Sequence, residues 1–382
     1  MQAKTLTQAL TAAALLLFSA AQAGERWADF PVAAKATTAA RIGNTVYAGL
    51  GTAGKGWYAL DVSRPGAPWR ALAEFPDVQR DDARAVAVNG QVYVFSGSGK
   101  LHPSDKALVT FDTAWRYDPA ANAWSRLPTR APMGLLATGA VTLDQRSILF
   151  FGGVNKAVFE GYFQDYFVAA GDDKARQDAV AAAYFDQRPQ DYLFTAQVLS
   201  YDTTTHQWRN LGVDPGLPTI GTAVAVRGPQ VTLVNGEIKP GLRSPGIKTV
   251  SVNGETLQWS TQTLVPPTGA AVQDGVAGAY AGYSNQALLV AGGANFPGSW
   301  AQFNAGQLWA HKGLKKTWHD QIYAQVGGQW TTAGKLPQPL GYSAYVQLDD
   351  SLLIIGGELQ GGAATKEVIE LRWNGKAVDV VR

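Results

Sequence analysis

The stretch Ile148-Leu-Phe-Phe-Gly-Gly153 is a short apolar run that ends in two glycines, and similar runs recur along the chain. Each copy ends in a glycine pair or a remnant of one, and an earlier strand-like segment precedes it. The six copies are Val46-Tyr-Ala-Gly-Leu-Gly51, Val92-Tyr-Val-Phe-Ser-Gly97, Ile148-Leu-Phe-Phe-Gly-Gly153, Val231-Thr-Leu-Val-Asn-Gly236, Leu288-Leu-Val-Ala-Gly-Gly293 and Leu352-Leu-Ile-Ile-Gly-Gly357. Regular repetition of one short unit predicts a repeat architecture.

A tryptophan series accompanies these runs, usually after a Tyr-Asp-like segment such as Tyr117-Asp118. Four short strands per unit, with aromatic residues at fixed places, are typical of a propeller blade. The sequence therefore predicts an all-β fold, a six-bladed β-propeller. The series comprises Trp69, Trp124, Trp208, Trp259 and Trp330, with Trp27 as the candidate sixth member.

The two ends of the chain suggest how the ring closes. Trp27 and Phe30-Pro31 resemble the end of a blade whose earlier strands are missing. The last repeat has its glycine pair at Gly356-Gly357, and the sequence ends soon after it. We expect an N-terminal strand to complete the last blade and so remove an exposed sheet edge. Residues 377–381 are the alternative.

Two segments are too long for the repeat. The first, about 155–195, contains a predicted helix from Asp172 to Phe185, and the second, about 295–319, is rich in aromatic residues. Long loops in compact domains are commonly functional. We expect these two insertions, one of them partly helical, to wall or roof the mouth of the central channel.

The N-terminus predicts export. Lys4, an apolar stretch around Leu15, and Ala21-Gln-Ala23 have the form of a secretory signal peptide covering residues 1–23. No later stretch has the apolar length of a membrane helix. The mature chain, residues 24–382, is then a single propeller domain without a membrane insertion, located most simply in a bacterial periplasm.

Composition narrows the possible chemistry. A net charge of +2 without a basic run argues against a nucleic-acid partner, and the absence of cysteine removes thiol nucleophiles and thiolate metal sites. The 4 histidines show no metal-ligand spacing, and no Gly-x-Ser-x-Gly elbow occurs. We therefore expect no metal and no cofactor.

The most informative stretch is Asn235-Gly-Glu-Ile-Lys-Pro-Gly-Leu-Arg243. Glu237 directly follows the glycine of its repeat, where the strand emerges at the channel, and Lys239 and Arg243 follow in the same loop. A carboxylate beside two cations is either a structural ion pair or an acid–base and anion-binding site. These residues alone do not separate the two interpretations.

The repeats resemble kelch repeats, and the Glu237 stretch is similar to a motif of the N-acetylneuraminate epimerases (sialic acid mutarotases), a family of periplasmic kelch propellers. Further similar segments lie in all blades and in both insertions. They include Phe75-Pro76 leading to Arg80-Asp81, Phe150-Phe-Gly-Gly-Val-Asn155, Phe159-x-Gly-Tyr-Phe-x-Asp165, Asp274-Gly-Val-Ala-Gly278 and Ala310-His-x-Gly-Leu-Lys-Lys316. Two departures are Lys312, where an acidic residue is expected, and Ser96, which breaks a glycine pair.

The resemblance implies an isomerase that interconverts the α and β anomers of free N-acetylneuraminate by acid–base ring opening and reclosure. Glu237 would carry the proton, and Arg243 would orient the substrate carboxylate or stabilise negative charge on oxygen. The remaining candidates for substrate contact are Arg80, Asn155, Lys239, His311 and Tyr342. For Arg80 the alternative is pairing with Asp81 or Asp82, and for Tyr342 it is packing within a blade.

Other functions are less well supported. A sialidase would carry Ser-x-Asp-x-Gly-x-Thr-Trp boxes, which are absent, and a galactose-oxidase-like copper enzyme needs a cysteine. The durable alternative is a non-catalytic kelch-type module that binds a sugar or a protein, because the fold itself implies no activity. The sequence leaves the oligomeric state open.

Overall fold

The computed structural model describes residues 27–382, which form six antiparallel blades arranged around a channel. Five blades are four-stranded sheets, and the sixth has the additional short strand Leu340–Gly341. The first strand of every sheet contributes residues to one channel cavity, so these strands are the innermost. The predicted all-β, six-bladed β-propeller is confirmed.

The blades are numbered in chain order, and each is built from strands that succeed one another in sequence. Blade 1 consists of Thr38–Ile42, Thr45–Gly49, Trp57–Asp61 and Arg70–Ala71. Blade 2 consists of Arg84–Val88, Gln91–Phe95, Thr113–Asp118 and Ala123–Arg130. Blade 3 consists of Gly139–Val141, Ser147–Phe151, Gln197–Asp202 and Trp208–Val213. Blade 4 consists of Ala223–Arg227, Gln230–Val234, Gly246–Asn253 and Thr256–Thr263. Blade 5 consists of Tyr280–Ser284, Ala287–Ala291, Gln321–Val326 and Gln329–Lys335. The main strands of blade 6 are Ala344–Gln347, Leu352–Leu359, Ala364–Trp373 and Val378–Val381.

The repeated glycines lie where the second strand of a blade touches the next blade. Gly152 has φ +70°, and a Cβ there would lie 2.0 Å from the carbonyl oxygen of Thr219. A side chain would therefore collide with the neighbouring backbone. In blade 2 the same place is held by Ser96, which adopts φ +63° and donates a hydrogen bond to the Gly134 carbonyl oxygen at 2.7 Å. The departure from glycine is thus compensated by a bond between blades.

The hydrophobic core is divided among the interfaces between neighbouring blades. The fourth-strand tryptophans pack backwards onto the preceding blade, as Trp124 does against Trp57 and Phe75, with ring centroids 5.3 and 5.1 Å apart. Trp208 packs in the same way onto Phe95 of blade 2. Each large ring buried between blades holds two sheets together, and its removal would cost about 3–5 kcal/mol.

Ring closure differs from the prediction. The C-terminal strand Val378–Val381 completes blade 6 by pairing with its third strand, so the expectation of an N-terminal closing strand is wrong and the alternative is correct. The N-terminal segment lies across the same blade instead, where Trp27 N–H donates to Arg382 O and Ala34 bridges to Thr365. Trp27 lies in the core between blades 6 and 1, which already holds Trp69, and is not a sixth fourth-strand tryptophan.

The long connections all join the second strand of a blade to its third. In blade 3 this connection contains the predicted helix, which begins at Lys174 after the N-cap Asp173, and a helical stretch before it that the sequence did not predict. Within residues 27–382 no helix is long and apolar enough to cross a membrane. The helices of this connection are Lys156–Phe163, the π-helix Gln164–Ala169, Lys174–Phe185 and the 3-10 helix Pro189–Tyr192; that of blade 5 contains Ser299–Asn304.

Candidate active site at the channel mouth

Six equivalent residues form a collar around the channel, each two positions before the first strand of its blade. All have φ between +52° and +67°, the left-handed region that favours glycine and asparagine. Five backbone hydrogen bonds of 2.7–3.0 Å connect them from blade to blade, beginning with Asp82 N–H to Ala36 O and Ala36 N–H to Tyr342 O. The collar consists of Ala36, Asp82, Ala137, Gly221, Gly278 and Tyr342.

Glu237 lies at the collar because of its place after the repeat glycine. Ile220, which precedes the collar residue Gly221, pairs with Glu237 through hydrogen bonds in both directions. The same relation in blade 6 places Glu358 opposite Gly341, next to the collar residue Tyr342. The sequence prediction that Glu237 emerges at the channel agrees with this position.

Glu237 and Arg243 form an ion pair within one short hairpin, Glu237–Lys239 with Leu242–Arg243. The Arg243 Nη2 lies 2.7 Å from the Glu237 Oε1, and the side chains are 3% and 18% exposed. The second carboxylate oxygen, Oε2, accepts a hydrogen bond from the Gly241 N–H at 3.3 Å. The carboxylate is therefore held in place and still reaches the open space of the mouth.

Arg243 joins blade 4 to blade 6. Its Nη2 also donates to the Tyr342 hydroxyl at 3.2 Å, and its guanidinium carbon lies 5.0 Å from the centre of the Phe296 ring. Burial would lower the pKa of Arg243, but the charge of Glu237 and the contact with Tyr342 outweigh it and raise the pKa. Nε and Nη1 are buried and have no hydrogen-bond partner in the described part of the chain.

A second charged cluster lies beside Tyr342. Glu358 accepts from Lys35 Nζ at 2.7 Å and from Lys316 Nζ at 3.1 Å. Lys316 Nζ also lies 4.0 Å from the centre of the Tyr342 ring. The mouth thus carries cations on the blade 6 side as well as at Arg243.

The two insertions meet above Glu237. Phe185 of the blade 3 insertion stacks on Trp309 of the blade 5 insertion, with centroids 5.1 Å apart, and packs edge-on against His311 at 5.0 Å. The pKa of Tyr184 is raised by burial and by the charge of Glu237. As predicted, the insertions contribute aromatic walls to the channel mouth.

His311 is a neutral member of this roof. Burial, with the nearby charges of Arg243 and Lys239, lowers its pKa to about 4. Trp309 Nε1–H donates to Nε2 at 3.3 Å, so the ring proton is on Nδ1, which lies against Gly241. A Cβ at residue 241 would lie 1.8 Å from Nδ1, so only glycine fits beneath the imidazole.

Lys239 has a structural position instead of the expected substrate contact. Its ammonium is fully buried and donates to the carbonyl oxygens of Phe185 at 3.0 Å, of Gln187 and of Leu308. An ammonium has three protons, and all three are used. Lys239 therefore clamps the two insertions to the blade 4 hairpin, and its ammonium has no proton left for a substrate. Burial lowers its pKa to about 8.

Arg80 is also committed elsewhere. It is fully buried between the rings of Phe75 and Phe111, with its guanidinium carbon 4.7 Å from both centres. Its Nη2 pairs with Asp77 Oδ2 at 2.7 Å, and not with Asp81 or Asp82 as considered from the sequence. Burial lowers its pKa to about 10. Arg80 stabilises blade 2, and the substrate contact assigned to it is replaced by this role.

Asn155 begins the first helix of the blade 3 insertion. Its side-chain oxygen accepts from the Val158 N–H at 3.2 Å, which is an N-cap. This bond uses one of the two acceptor positions of the amide oxygen, so the substrate contact expected for Asn155 stays a prediction. Of the seven predicted site residues, the structure brings Glu237, Arg243, Tyr342 and His311 together.

Sequence reasoning missed three charged residues at the mouth: Asp82, Lys316 and Glu358. A signal for each was present. Glu358 follows its glycine pair as Glu237 follows its own, and Asp82 occupies the collar position that is small in four of the blades. Lys316 lay in a quoted segment, but its orientation toward Tyr342 depends on tertiary structure.

Comparisons with known proteins agree with this architecture. The sequence model of the N-acetylneuraminate epimerase family matches residues 27–380. The chain is 48% identical to an N-acetylneuraminate epimerase of Yersinia enterocolitica over 352 residues, 92% of this chain and 90% of the relative. It is 42% identical to an N-acetylneuraminate epimerase of Haemophilus influenzae over 377 residues, 99% of this chain and all of the relative.

A solved structure, that of YjhT, is similar in fold. It superimposes with a TM-score of 0.88 at 38% sequence identity, and the match covers 93% of this chain and 99% of YjhT. The sequence match extends through all six blades and both insertions, including the hairpin of Glu237 and Arg243. The chain belongs to the N-acetylneuraminate epimerase family.

Proposed function

We propose that this protein interconverts the α and β anomers of free N-acetylneuraminate by opening and reclosing the sugar ring. Family membership supports the reaction, and one observation carries the chemistry: a carboxylate and a buried guanidinium, Glu237 and Arg243, lie 2.7 Å apart at the mouth of the channel. This pair supplies a proton acceptor beside a site for an anion.

The reaction needs proton transfer at two oxygens of the sugar. Glu237 removes the proton of the anomeric hydroxyl while the bond between the anomeric carbon and the ring oxygen breaks. The ring oxygen gains a proton, the open keto form rotates, and closure on the other face returns the proton from Glu237. General acid–base catalysis of this kind is worth about 10²–10⁴-fold in rate.

Arg243 binds the negative charge of the substrate. Its Nε and Nη1 have no acceptor among the described residues, and the substrate carboxylate supplies one. Tyr342 fixes the guanidinium from the other side through its hydroxyl at 3.2 Å. The neutral, aromatic roof around His311 adds no competing charge above the pair.

The test is proton NMR of freshly released α-N-acetylneuraminate with purified protein and with buffer alone. Glu237→Gln should lose the acceleration because an amide cannot accept the proton. The matched control is Glu255→Gln, which removes the carboxylate of an exposed ion pair with Arg209 on the rim of the propeller. It should equilibrate the anomers as fast as the wild type.

Two other results would count against the proposal. If the wild type equilibrates the anomers no faster than buffer, the epimerase function fails and a non-catalytic binding module takes its place. If Glu237→Gln retains the wild-type rate, the reaction stands but Glu237 is not its proton carrier.

We also propose export to the periplasm. The support is the sequence of residues 1–23, which has the form of a signal peptide and lies outside the described residues. N-terminal sequencing of the protein from a periplasmic fraction should find Gly24 first. A mature protein that retains residues 1–23 in the cytoplasm would contradict this location.

A further inference from the structure

Asp82 is an unexplained carboxyl group at the same mouth. It lines the channel cavity of about 280 Å³ together with Tyr342, Gly221 and Gly278 of the collar. Its side chain makes no hydrogen bond and no ion pair with any residue of 27–382. A carboxyl group that lines a cavity and has no partner in the described protein is available to a ligand.

The backbone conformation of Asp82 also supports a role in the site. Asp82 has φ +56°, a conformation that costs an L-residue of order 1 kcal/mol or more. In four blades the collar position is alanine or glycine, and the two exceptions are Asp82 and Tyr342. Tyr342 contacts Arg243, so one exception already belongs to the site.

The collar also sets where the Asp82 carboxyl group lies relative to Glu237. Asp81, just before the collar residue of blade 2, pairs with Ser98, and Ile220, just before that of blade 4, pairs with Glu237. Equivalent backbone positions in the two blades therefore place both carboxyl groups at the same end of the channel, with blade 3 between them. We expect a sugar ring bound in the mouth to lie between them.

Burial favours the protonated form of Asp82. Burial raises its pKa, and Glu358 and Glu237 raise it further, while Arg84 and Lys316 oppose them. A carboxyl group that keeps its proton can act as the acid of a site while another group acts as the base.

We propose that Asp82 is the second proton carrier of the reaction, the group that protonates the ring oxygen as Glu237 deprotonates the anomeric hydroxyl. The bond between the anomeric carbon and the ring oxygen breaks, its electron pair stays on the ring oxygen, and the Asp82 proton joins that oxygen. After rotation, Asp82 takes the proton back as the ring oxygen attacks the other face of the carbonyl carbon, and Glu237 returns its proton to the new hydroxyl. Protons and electrons balance over the cycle, and no co-reactant is needed. This assignment rests on the proposed function.

The experiment measures anomer equilibration by NMR from pH 5 to pH 9, with buffer rates subtracted, for the wild type and Asp82→Asn. Asparagine keeps the size of the side chain and accepts a positive φ, so the collar should stay intact. We expect kcat to fall about 10²–10⁴-fold with little change in KM, and the decline of the rate at high pH, due to loss of the Asp82 proton, to disappear.

The matched control is Asp81→Asn, which makes the same change from carboxyl to amide at the neighbouring residue, whose side chain does not line the cavity. It should keep the high-pH decline. Asp82→Ala is the second variant, and added formate should restore part of its rate, because a small acid can replace the missing carboxyl group. A residue with a merely structural role would not be rescued.

The outcomes separate the two proposals. Wild-type kcat and pH profile in Asp82→Asn overturn the role of Asp82 and leave the epimerase function standing. So does a loss of activity in which the high-pH decline persists and formate has no effect on Asp82→Ala. A wild type no faster than buffer overturns the proposed function itself.

Discussion

Arg80 and Arg243 are both buried arginines with different roles at the level of the single residue. In Arg80, both terminal nitrogens donate to acceptors of blade 2, and its flat faces are covered by two rings. In Arg243, Nη1 remains without an acceptor in the described structure although it is buried. A buried donor without a partner costs about 1–3 kcal/mol, a cost that a bound carboxylate would remove.

His311 is a single residue whose pKa makes the folding stability of the protein depend on pH. Its folded pKa of about 4 lies below the ordinary value of 6.5, so the unfolded chain takes up the proton first as pH falls. The stability that the neutral ring contributes is therefore complete above pH 6.5 and is lost progressively toward pH 4. The contribution is on the order of 1–2 kcal/mol, because the partly exposed ring is screened by solvent.

His311→Gln should flatten the pH dependence of the unfolding free energy between pH 4 and 6.5, as measured by urea denaturation. His102→Gln, at an exposed histidine, is the control and should follow the wild type. An unchanged slope in His311→Gln would mean that other groups cause the acid sensitivity in this window.

The limits of sequence reasoning are clearest for single residues. Glu237 and Arg243 could be paired from the sequence because both belong to one hairpin. The role of Lys239 could not, because its carbonyl partners are 52 to 69 positions away. Asp77 was overlooked as the partner of Arg80, since adjacent acids in the sequence looked equally suitable.

At the level of elements, the connections between second and third strands carry the function. The blade 3, 4 and 5 connections all reach one mouth, and Lys239 fastens them to one another. Their length and aromatic content predicted an ordered roof. The additional helices Lys156–Phe163 and Gln164–Ala169 were not predicted, although a signal was present: Phe159, Phe163 and Phe167 recur at a spacing of four residues and pack against one another.

Lys239→Met tests this fastening. The side chain keeps its length, but three carbonyl oxygens lose their donor, so the insertions should separate from the hairpin. We expect faster hydrogen exchange in residues 174–187 and 299–311, and a KM that rises more than kcat falls. The control is Lys248→Met, which removes a lysine of blade 4 that binds Asp214 and the Leu217 carbonyl oxygen away from the roof. If exchange in the two segments does not change, Lys239 does not hold them.

At the level of the whole molecule, the ring of blades could be predicted because each blade is a local unit with its own sequence signal. Its closure could not, since residues 27–34 and 378–381 both reach the last blade and only packing decides which forms a strand. The C-terminal segment pairs with Ala364–Trp373. Trp27 anchors the N-terminal segment through a hydrogen bond from its Nε1–H to the Glu370 Oε2 at 3.1 Å.

Removing residues 378–382 should therefore weaken the ring as a whole. The third strand of blade 6 becomes an exposed edge, and the buried Val378 and the bond from Trp27 N–H to Arg382 O are lost. We expect a loss of about 2–3 kcal/mol in unfolding free energy and a lower melting temperature by calorimetry. Asp379→Ala, which keeps the strand and changes an exposed side chain, should melt as the wild type does. A truncated chain with an unchanged melting temperature would show that the N-terminal segment closes the ring alone.

The collar has a consequence for how this mouth can be altered. Its hydrogen bonds join backbone N–H groups to backbone carbonyl oxygens, which every amino acid except proline can supply. The collar bonds therefore do not depend on the side chains at these positions, and these side chains can be exchanged to change the lining of the mouth. Gly278 is the exception, because a Cβ there would meet the Tyr342 ring at 2.5 Å, whereas at Gly221 the nearest atom would be 3.6 Å away. A protein engineer seeking a different sugar acid has in Ala36, Ala137 and Gly221 three places to add asparagine without redesigning a blade.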